Sequence, residues 1–236
     1  MALLDEVIEA GGGLTRWSGL NRFALQLSIG GSLLSRADPS VRFKEIAGQG
    51  CLRNPLVRLT GITGVGQSGV YRPDCVTIES PDGDVIRTWR DPHKSLLHDE
   101  KEIPFDDITY LVFLSGYCTW NYLTLPFTLA GPDVKVEELP PWRDRDQLWR
   151  RLRAAFPPSA VTQAHTQTFY FDEARLLRRT DHTLFGSKVA DYSWAHQEFG
   201  GIVVPTLRRT RALAADDTDI ARLSLIEVEI FDASFE

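Results

Sequence analysis

Apolar and polar residues alternate along much of the chain, most clearly from Phe23 to Ile29, where every second residue is apolar. A strand with one buried face produces this pattern. Similar segments recur between glycine, proline and aspartate turn signals. The predicted strands are 23–29, 41–47, 55–62, 75–80, 84–89, 166–171, 176–185, 192–199, 202–211 and 223–231. Because Pro81, Asp82 and Gly83 join two of them in a tight turn, 75–89 is predicted to be a hairpin.

Two segments near the middle of the chain break the alternation. Residues 108–130 carry no charged side chain, and those from Tyr110 to Cys118 are apolar around a full helical circumference. This predicts a helix buried on most sides, which begins at Pro104 and has Asp106 and Asp107 in its first turn. A second helix is predicted from Trp142 to Phe156, because apolar residues and arginines fall on opposite sides of it.

The fold predicted from these patterns is mainly β (α+β): an antiparallel meander or half-open barrel wrapped around one or two helices. We expect a single domain, residues 1–236, with a helical insertion at about 104–156. The uncharged segment 108–130 is long enough to cross a bilayer, but it contains several hydroxyl side chains, a break at Pro126 and acidic flanks. We therefore expect no stable membrane insertion.

Composition narrows the function classes. A net charge of −6 disfavours binding to nucleic acid, which needs a surplus of basic residues. The cysteines Cys51, Cys75 and Cys118 lack the spacing of a disulfide framework or a zinc site. The amino-terminal residues lack the basic and long apolar regions of a signal peptide, which favours a cytoplasmic location.

Gly64, Gly66 and Gly69 match the spacing of a dinucleotide-binding loop. That loop must open a helix, whereas Tyr71, Arg72 and Pro73 lead into a strand-like segment. The glycines therefore favour a hairpin loop, and we expect no cofactor.

Titratable residues concentrate around one predicted hairpin. Alternation places Arg179 and Asp181 on one face and Arg178 and His182 on the other. Asp181 or His182 with Tyr170 would form a catalytic acid/base pair if they lined a pocket, and a surface ion-pair ladder is the favoured alternative.

Counting across a four-residue loop at 172–175 places His165 opposite His182, with His196 nearer Arg178. A metal would need a third ligand at this position. No carboxylate is obviously placed to supply it, so we expect no metal site.

The uncharged segment is rich in aromatic residues that either line a cavity for an apolar ligand or belong to the core. The candidate ligand-binding residues are these aromatic residues together with Arg178 and His196 from the predicted sheet. The aromatic members are Tyr110, Phe113, Tyr117, Trp120, Tyr122 and Phe127.

Three stretches resemble an uncharacterised family of bacterial cytoplasmic proteins: Trp120-Asn121-Tyr122 with Pro126-Phe127, Tyr170-Phe171-Asp172 with 176–181, and Phe199 to Thr206 with Arg208-Arg209. The order and arrangement of elements also resemble the lipoprotein-carrier (LolA/LolB-like) fold, a half-open antiparallel barrel around helices. This resemblance implies a concave sheet with an apolar cavity closed by helices, and it supplies no catalytic residue.

Two functions remain open at this point. The first is a binding or carrier-like protein that holds a hydrophobic small molecule between the sheet and the segment 104–130. The second is a cofactor-independent cyclase, isomerase or lyase of specialised metabolism, which acts on a hydrophobic substrate by acid/base chemistry.

Overall fold

A computed structural model describes residues 2–34, 42–93, 107–144, 146–162, 164–214 and 224–236. The helices are α1 Leu3–Ala10, α2 Leu14–Ser18 and α3 Ile108–Thr124, and a short 3-10 helix follows at Phe127–Ala130. The strands are β1 Arg22–Gly30, β2 Arg42–Cys51, β3 Leu56–Thr60, β4 Ser68–Arg72, β5 Cys75–Glu79, β6 Val85–Arg90, β7 Lys135–Asp144, β8 Gln147–Ala155, β9 Thr166–Phe171, β10 Leu177–Leu184, β11 Ser187–Phe199, β12 Ile202–Ala212 and β13 Ile226–Phe235.

The described strands form one antiparallel sheet of 13 strands. Its spatial order is β6-β5-β4-β3-β2-β1-β13-β12-β11-β10-β9-β8-β7, so two meanders are joined where the first strand pairs with the last. The strands β6 and β7 stay unpaired to each other, and the sheet is an open half-barrel. The predicted fold class is confirmed.

The alternation in β1 reflects a buried face of the strand, as predicted, because Phe23, Leu25, Leu27 and Ile29 are all buried. The predicted hairpin is also present as β5 and β6. Its turn is closed by a hydrogen bond of 3.0 Å from the Gly83 amide to the Ser80 carbonyl.

Helix α3 packs on the concave, inner face of the sheet against β3, β4 and β5. Two glycines allow this close approach. A Cβ at Gly69 would lie 2.3 Å from Cγ2 of Val112, and a Cβ at Gly116 would lie 2.4 Å from Cβ of Tyr71. Gly64 and Gly66 lie in a loop as predicted, whereas Gly69 lies within β4, a strand that the sequence analysis did not predict.

The side chain of Asp107 caps helix α3 by accepting a hydrogen bond of 2.8 Å from the Thr109 amide. Asp107 therefore precedes the first turn, in which we had expected it. The predicted start at Pro104, and Asp106, lie outside the described residues. No helix in the described part of the chain is long and apolar enough to cross a membrane.

The predicted helix from Trp142 to Phe156 is wrong, because this segment belongs to the β7–β8 hairpin. Leu152, Ala154 and Phe156 alternate with exposed or half-exposed residues and face the core, which is a period of two. Arg150 reaches across the hairpin to Glu138, with an N–O distance of 2.8 Å. The helical part of the insertion ends at Ala130.

Candidate functional site

A cavity of about 280 Å³ lies between the inner face of the sheet and the carboxyl-terminal end of α3. Trp120 and Tyr122 contribute the helical wall, and the segments 125–134 and 156–162 provide the other walls. The sheet side is formed by one to two residues from each of four strands: Gln167, Phe169, Thr180, Asp191 and Arg208. Most of the lining is apolar, with the polar groups gathered on the sheet.

Arg208 is the central polar group of this cavity, and it is only 3% exposed. Its Cζ atom lies 4.2 Å from the ring centroid of Tyr122, within cation–π range. Its Nε and Nη2 atoms have no hydrogen-bond partner among the described residues. Burial lowers the pKa of Arg208, with Tyr122 and Asp191 opposing the shift, but an arginine retains its charge in proteins.

Asp191 also lines the cavity and is held by two neighbouring side chains. It accepts a hydrogen bond of 3.0 Å from Nε2 of His182 and another from the Thr210 hydroxyl. Burial alone would raise the pKa of Asp191, but His182, Thr210 and the nearby Arg208 charge hold it below its usual value. Asp191 is therefore a carboxylate at neutral pH.

The structure separates the three residues predicted to be catalytic. His182 faces inward and its side chain is fully buried beside Asp191, outside the set of residues that line the cavity. Asp181 and Tyr170 lie on the outer face, where the Tyr170 hydroxyl donates a hydrogen bond of 2.7 Å to the Asp181 carboxylate. Tyr170 and Asp181, one of the two predicted pairs, are therefore in contact, whereas His182, the other predicted partner of Tyr170, lies on the opposite face.

On the outer face, Tyr170 and Asp181 belong to a hydrogen-bonded ion-pair cluster around Arg179, whose side chain is 5% exposed. Arg179 donates from Nε to Asp181 at 2.5 Å and lies over the rings of Trp142, Tyr170 and Tyr192 at 5.2–5.5 Å. Burial, aided by Asp181, raises the pKa of Tyr170 to about 12, so this phenol stays protonated. This arrangement is the ion-pair alternative to a catalytic site, and it is more buried than a surface ladder.

The expected pairing of His165 with His182 is wrong. Phe171 pairs with Leu177, one residue beyond the expected Leu176, and an irregularity between Leu177 and Arg179 adds a second shift, so that Thr168 pairs with Asp181. His196 lies near enough to Arg178 to feel its charge, as expected, and Arg178 also forms an ion pair of 2.9 Å with Asp172. Burial, reinforced by the charges of Arg178 and Arg208, lowers the pKa of His196 to about 4.

The predicted ligand-binding aromatic residues divide between the cavity and the core. Trp120 and Tyr122 line the cavity, whereas the remaining four do not. Phe113 and Tyr117 stack with centroids 5.8 Å apart in the core, where Tyr110 is also fully buried, and Phe127 stacks on Trp17 at 4.2 Å. Arg178 and His196 are likewise absent from the lining.

Solved structures with the same arrangement of elements come from three bacteria. The chain matches a LolA superfamily protein from Nitrosomonas europaea with a TM-score of 0.53 at 6% identity, covering 100% of this chain and 94% of that one. It matches a domain classed with outer membrane lipoprotein-sorting proteins from Vibrio parahaemolyticus with a TM-score of 0.56 at 10% identity, covering 99% and 91%. This chain has the LolA-like fold.

A DUF1329 family protein from Desulfovibrio piger gives a TM-score of 0.57 at 8% identity, covering 99% of this chain and 92% of that one. No protein-family model and no curated protein matches the sequence. At these identities the LolA-like fold is what the structures share, and the function has to be argued from the cavity.

Sequence reasoning missed the sheet side of the cavity. Thr180, Asp191 and Arg208 lie on three different strands, and no local motif connects them. The available signal was weak: Arg208 lies in a predicted strand, where a polar residue must face either the core or solvent, and Asp191 directly precedes another predicted strand. Only the register decides between the two.

Proposed function

We propose that this protein is a binding or carrier-like protein that holds a hydrophobic small molecule in the cavity between the sheet and the end of helix α3. The observation that carries the proposal is a preformed cavity of about 280 Å³ lined by Trp120, Leu125, Phe156, Val161 and Phe169. Ligand sites in proteins are largely apolar concave spaces with a few convergent polar groups.

The fold supports this proposal. The neighbours with the LolA-like fold include a domain classed with outer membrane lipoprotein-sorting proteins. In this chain the half-barrel and α3 leave a space beyond the end of the helix, where Thr124 is the last helical residue and the chain turns away. Apolar ligands gain free energy by leaving water for such a space.

The experiment is a titration of the protein, stripped of bound lipid, with the neutral alcohol 1-decanol, followed by isothermal calorimetry. We expect saturable binding, and Ala160→Phe is expected to weaken it by about tenfold or more, because the new ring occupies volume within the cavity wall. The matched control is Ala155→Phe, at an exposed position on β8 outside this cavity. Equal affinities for the two variants, or no binding by the unmodified protein, would contradict the proposal.

An organic extract of the purified protein, analysed by mass spectrometry, gives an independent test. We expect an apolar molecule in the extract at a ratio that falls in Ala160→Phe and not in Ala155→Phe. The difference in this ratio between the two variants distinguishes a molecule held in the cavity from one adsorbed to exposed apolar residues such as Val85 and Ile86.

The acid/base enzyme is the weaker candidate. Tyr170 and Asp181 lie on the face of the sheet opposite the cavity. Asp191 is the carboxylate in the cavity wall, but its lowered pKa makes it a weak base at neutral pH. The geometry therefore favours binding over turnover.

A further inference from the structure

Two residues at the polar end of the cavity, Arg208 and Thr180, carry buried donors that nothing in the described protein satisfies. Nε and Nη2 of Arg208 lack partners, and so does the hydroxyl of Thr180, which is 3% exposed and lines the same cavity. A buried guanidinium with unmade hydrogen bonds is costly. Such a cost is offset when a ligand with an acceptor enters.

The chemistry of these donors selects the ligand's polar group. The Nε and Nη2 atoms of a guanidinium form a planar two-pronged edge that matches the two oxygens of a carboxylate. A phosphate monoester carries close to two negative charges. In this cavity a phosphate would be repelled by the Asp191 carboxylate. Beyond Arg208 and Thr180, few donors remain to bind its additional oxygen. A single-charged, two-oxygen group therefore fits better.

The size of the cavity limits the apolar part of the ligand. An apolar cavity of roughly 150 Å³ in another protein accepts benzene, which has six carbons. The volume here, about 280 Å³, corresponds by that scale to on the order of ten carbons. Exposed Pro132 and Ser159 mark the side of the cavity that is open to solvent, away from buried Arg208.

We propose that the ligand is a medium-chain carboxylic acid, bound with its carboxylate on the free edge of Arg208 and its chain directed along Trp120 and Phe169 toward the opening. This inference rests on the proposed function, since it specifies which hydrophobic molecule the cavity holds.

The test compares three ligands with similar chains: decanoate, 1-decanol and decyl phosphate, each titrated at pH 8 by isothermal calorimetry. We expect decanoate to bind at least about tenfold more tightly than decanol, because only the carboxylate satisfies the Arg208 edge. Decyl phosphate is expected to bind more weakly than decanoate.

Arg208→Met retains the length and apolar part of the side chain and removes the charge. We expect it to weaken decanoate binding on the order of 30-fold while decanol binding stays within about twofold. The matched control is Arg209→Met, which removes the same charge from a half-exposed arginine that lies 3.8 Å from Glu227. It is expected to bind all three ligands like the unmodified protein.

The outcomes separate the two proposals. If decanol binds but decanoate has no advantage, or the advantage persists in Arg208→Met, the carboxylate inference fails and the hydrophobic cavity stands. Tighter binding of decyl phosphate also overturns it. If no ligand binds, both proposals fail. Should Arg208→Met not fold, Arg208→Lys replaces it, because lysine keeps the charge and loses the two-pronged edge.

Discussion

Replacement of Asp191 by asparagine tests the electrostatic account of the cavity. The carboxylate is 2% exposed, accepts hydrogen bonds from His182 and Thr210, and is the countercharge nearest to Arg208 that acts on its pKa. Asparagine preserves the volume and removes the charge, which leaves a buried guanidinium without compensation. Hydrogen bonds to a charged group, like those from His182 and Thr210, are worth about 1.5–3 kcal/mol, so Asp191→Asn is expected to lower the free energy of unfolding by about that amount at pH 7.

The assay is urea unfolding followed by tryptophan fluorescence, with a double-mutant cycle. In Asp191→Asn combined with Arg208→Met, the uncompensated charge is gone, and we expect the double variant to be more stable than Asp191→Asn alone. Additivity of the two changes within about 0.5 kcal/mol would show that the two groups do not interact. A cost of Asp191→Asn below about 0.5 kcal/mol would refute the argument directly.

The pH dependence follows from the lowered pKa of Asp191, whose ordinary value is 3.8. Because the folded protein holds this carboxylate ionised more strongly than the unfolded chain does, its contribution is complete above the unfolded value. The contribution is lost as pH falls through the lower folded value. The stability difference between the unmodified protein and Asp191→Asn is therefore expected to be constant from pH 7 to about 5 and to shrink below about 4. A difference that grows on acidification would contradict this sign.

Three further changes have defined outcomes. Asp181→Asn is expected to cost about 1–3 kcal/mol in urea unfolding, because one of the two oxygens that accept from Arg179 and Tyr170 becomes a donor and the negative charge is lost; ligand titrations are expected to stay unchanged because the cluster lies on the outer face. Gly69→Ala is expected to lower the melting temperature by an amount that corresponds to about 1–3 kcal/mol, since its Cβ would overlap Val112; full stability would mean that the helix can shift. Thr180→Val is expected to leave unfolding within about 1 kcal/mol or to stabilise, because it removes a buried hydroxyl without a partner; a larger loss would reveal a hydrogen bond.

The secondary structure was predictable in segments where the apolar residues follow a single spacing. The alternation from Phe23 to Ile29 identifies β1, and the turn at Pro81 to Gly83 identifies the β5–β6 hairpin. The uncharged run identifies helix α3. The error at Trp142 to Phe156 arose because two spacings coexist there. Leu148, Trp149 and Leu152 follow a helical spacing, whereas Leu152, Ala154 and Phe156 follow the alternation of a strand. All three members of the second series are buried, whereas Leu148 is exposed. Single-domain organisation and a cytoplasmic location remain predictions.

The candidate site was less predictable, because its members are brought together by strand pairing. Asp191 pairs with Thr210, and Ser193 with Arg208, which places Asp191 and Arg208 on adjacent strands of the same face. A shift of one residue in that register would reverse the face of every side chain on β12. The sequence predicted the hairpin containing His182 as a place of concentrated charge, but the irregularity in β10 could not be inferred from the loop length.

The two buried arginines of the sheet show why the inner face is where binding is expected. Arg179 on the outer face has a carboxylate within hydrogen-bond distance and aromatic rings around it, so its burial is compensated within the protein. Arg208 on the inner face has the ring of Tyr122 and a more distant carboxylate, and two of its donor atoms remain unmatched beside an apolar cavity. Buried polar groups are normally hydrogen-bonded, and those that lack a partner are found preferentially at functional sites. Since both arginines belong to the same sheet and differ in this one respect, the difference assigns structural stabilisation to Arg179 and ligand recognition to Arg208.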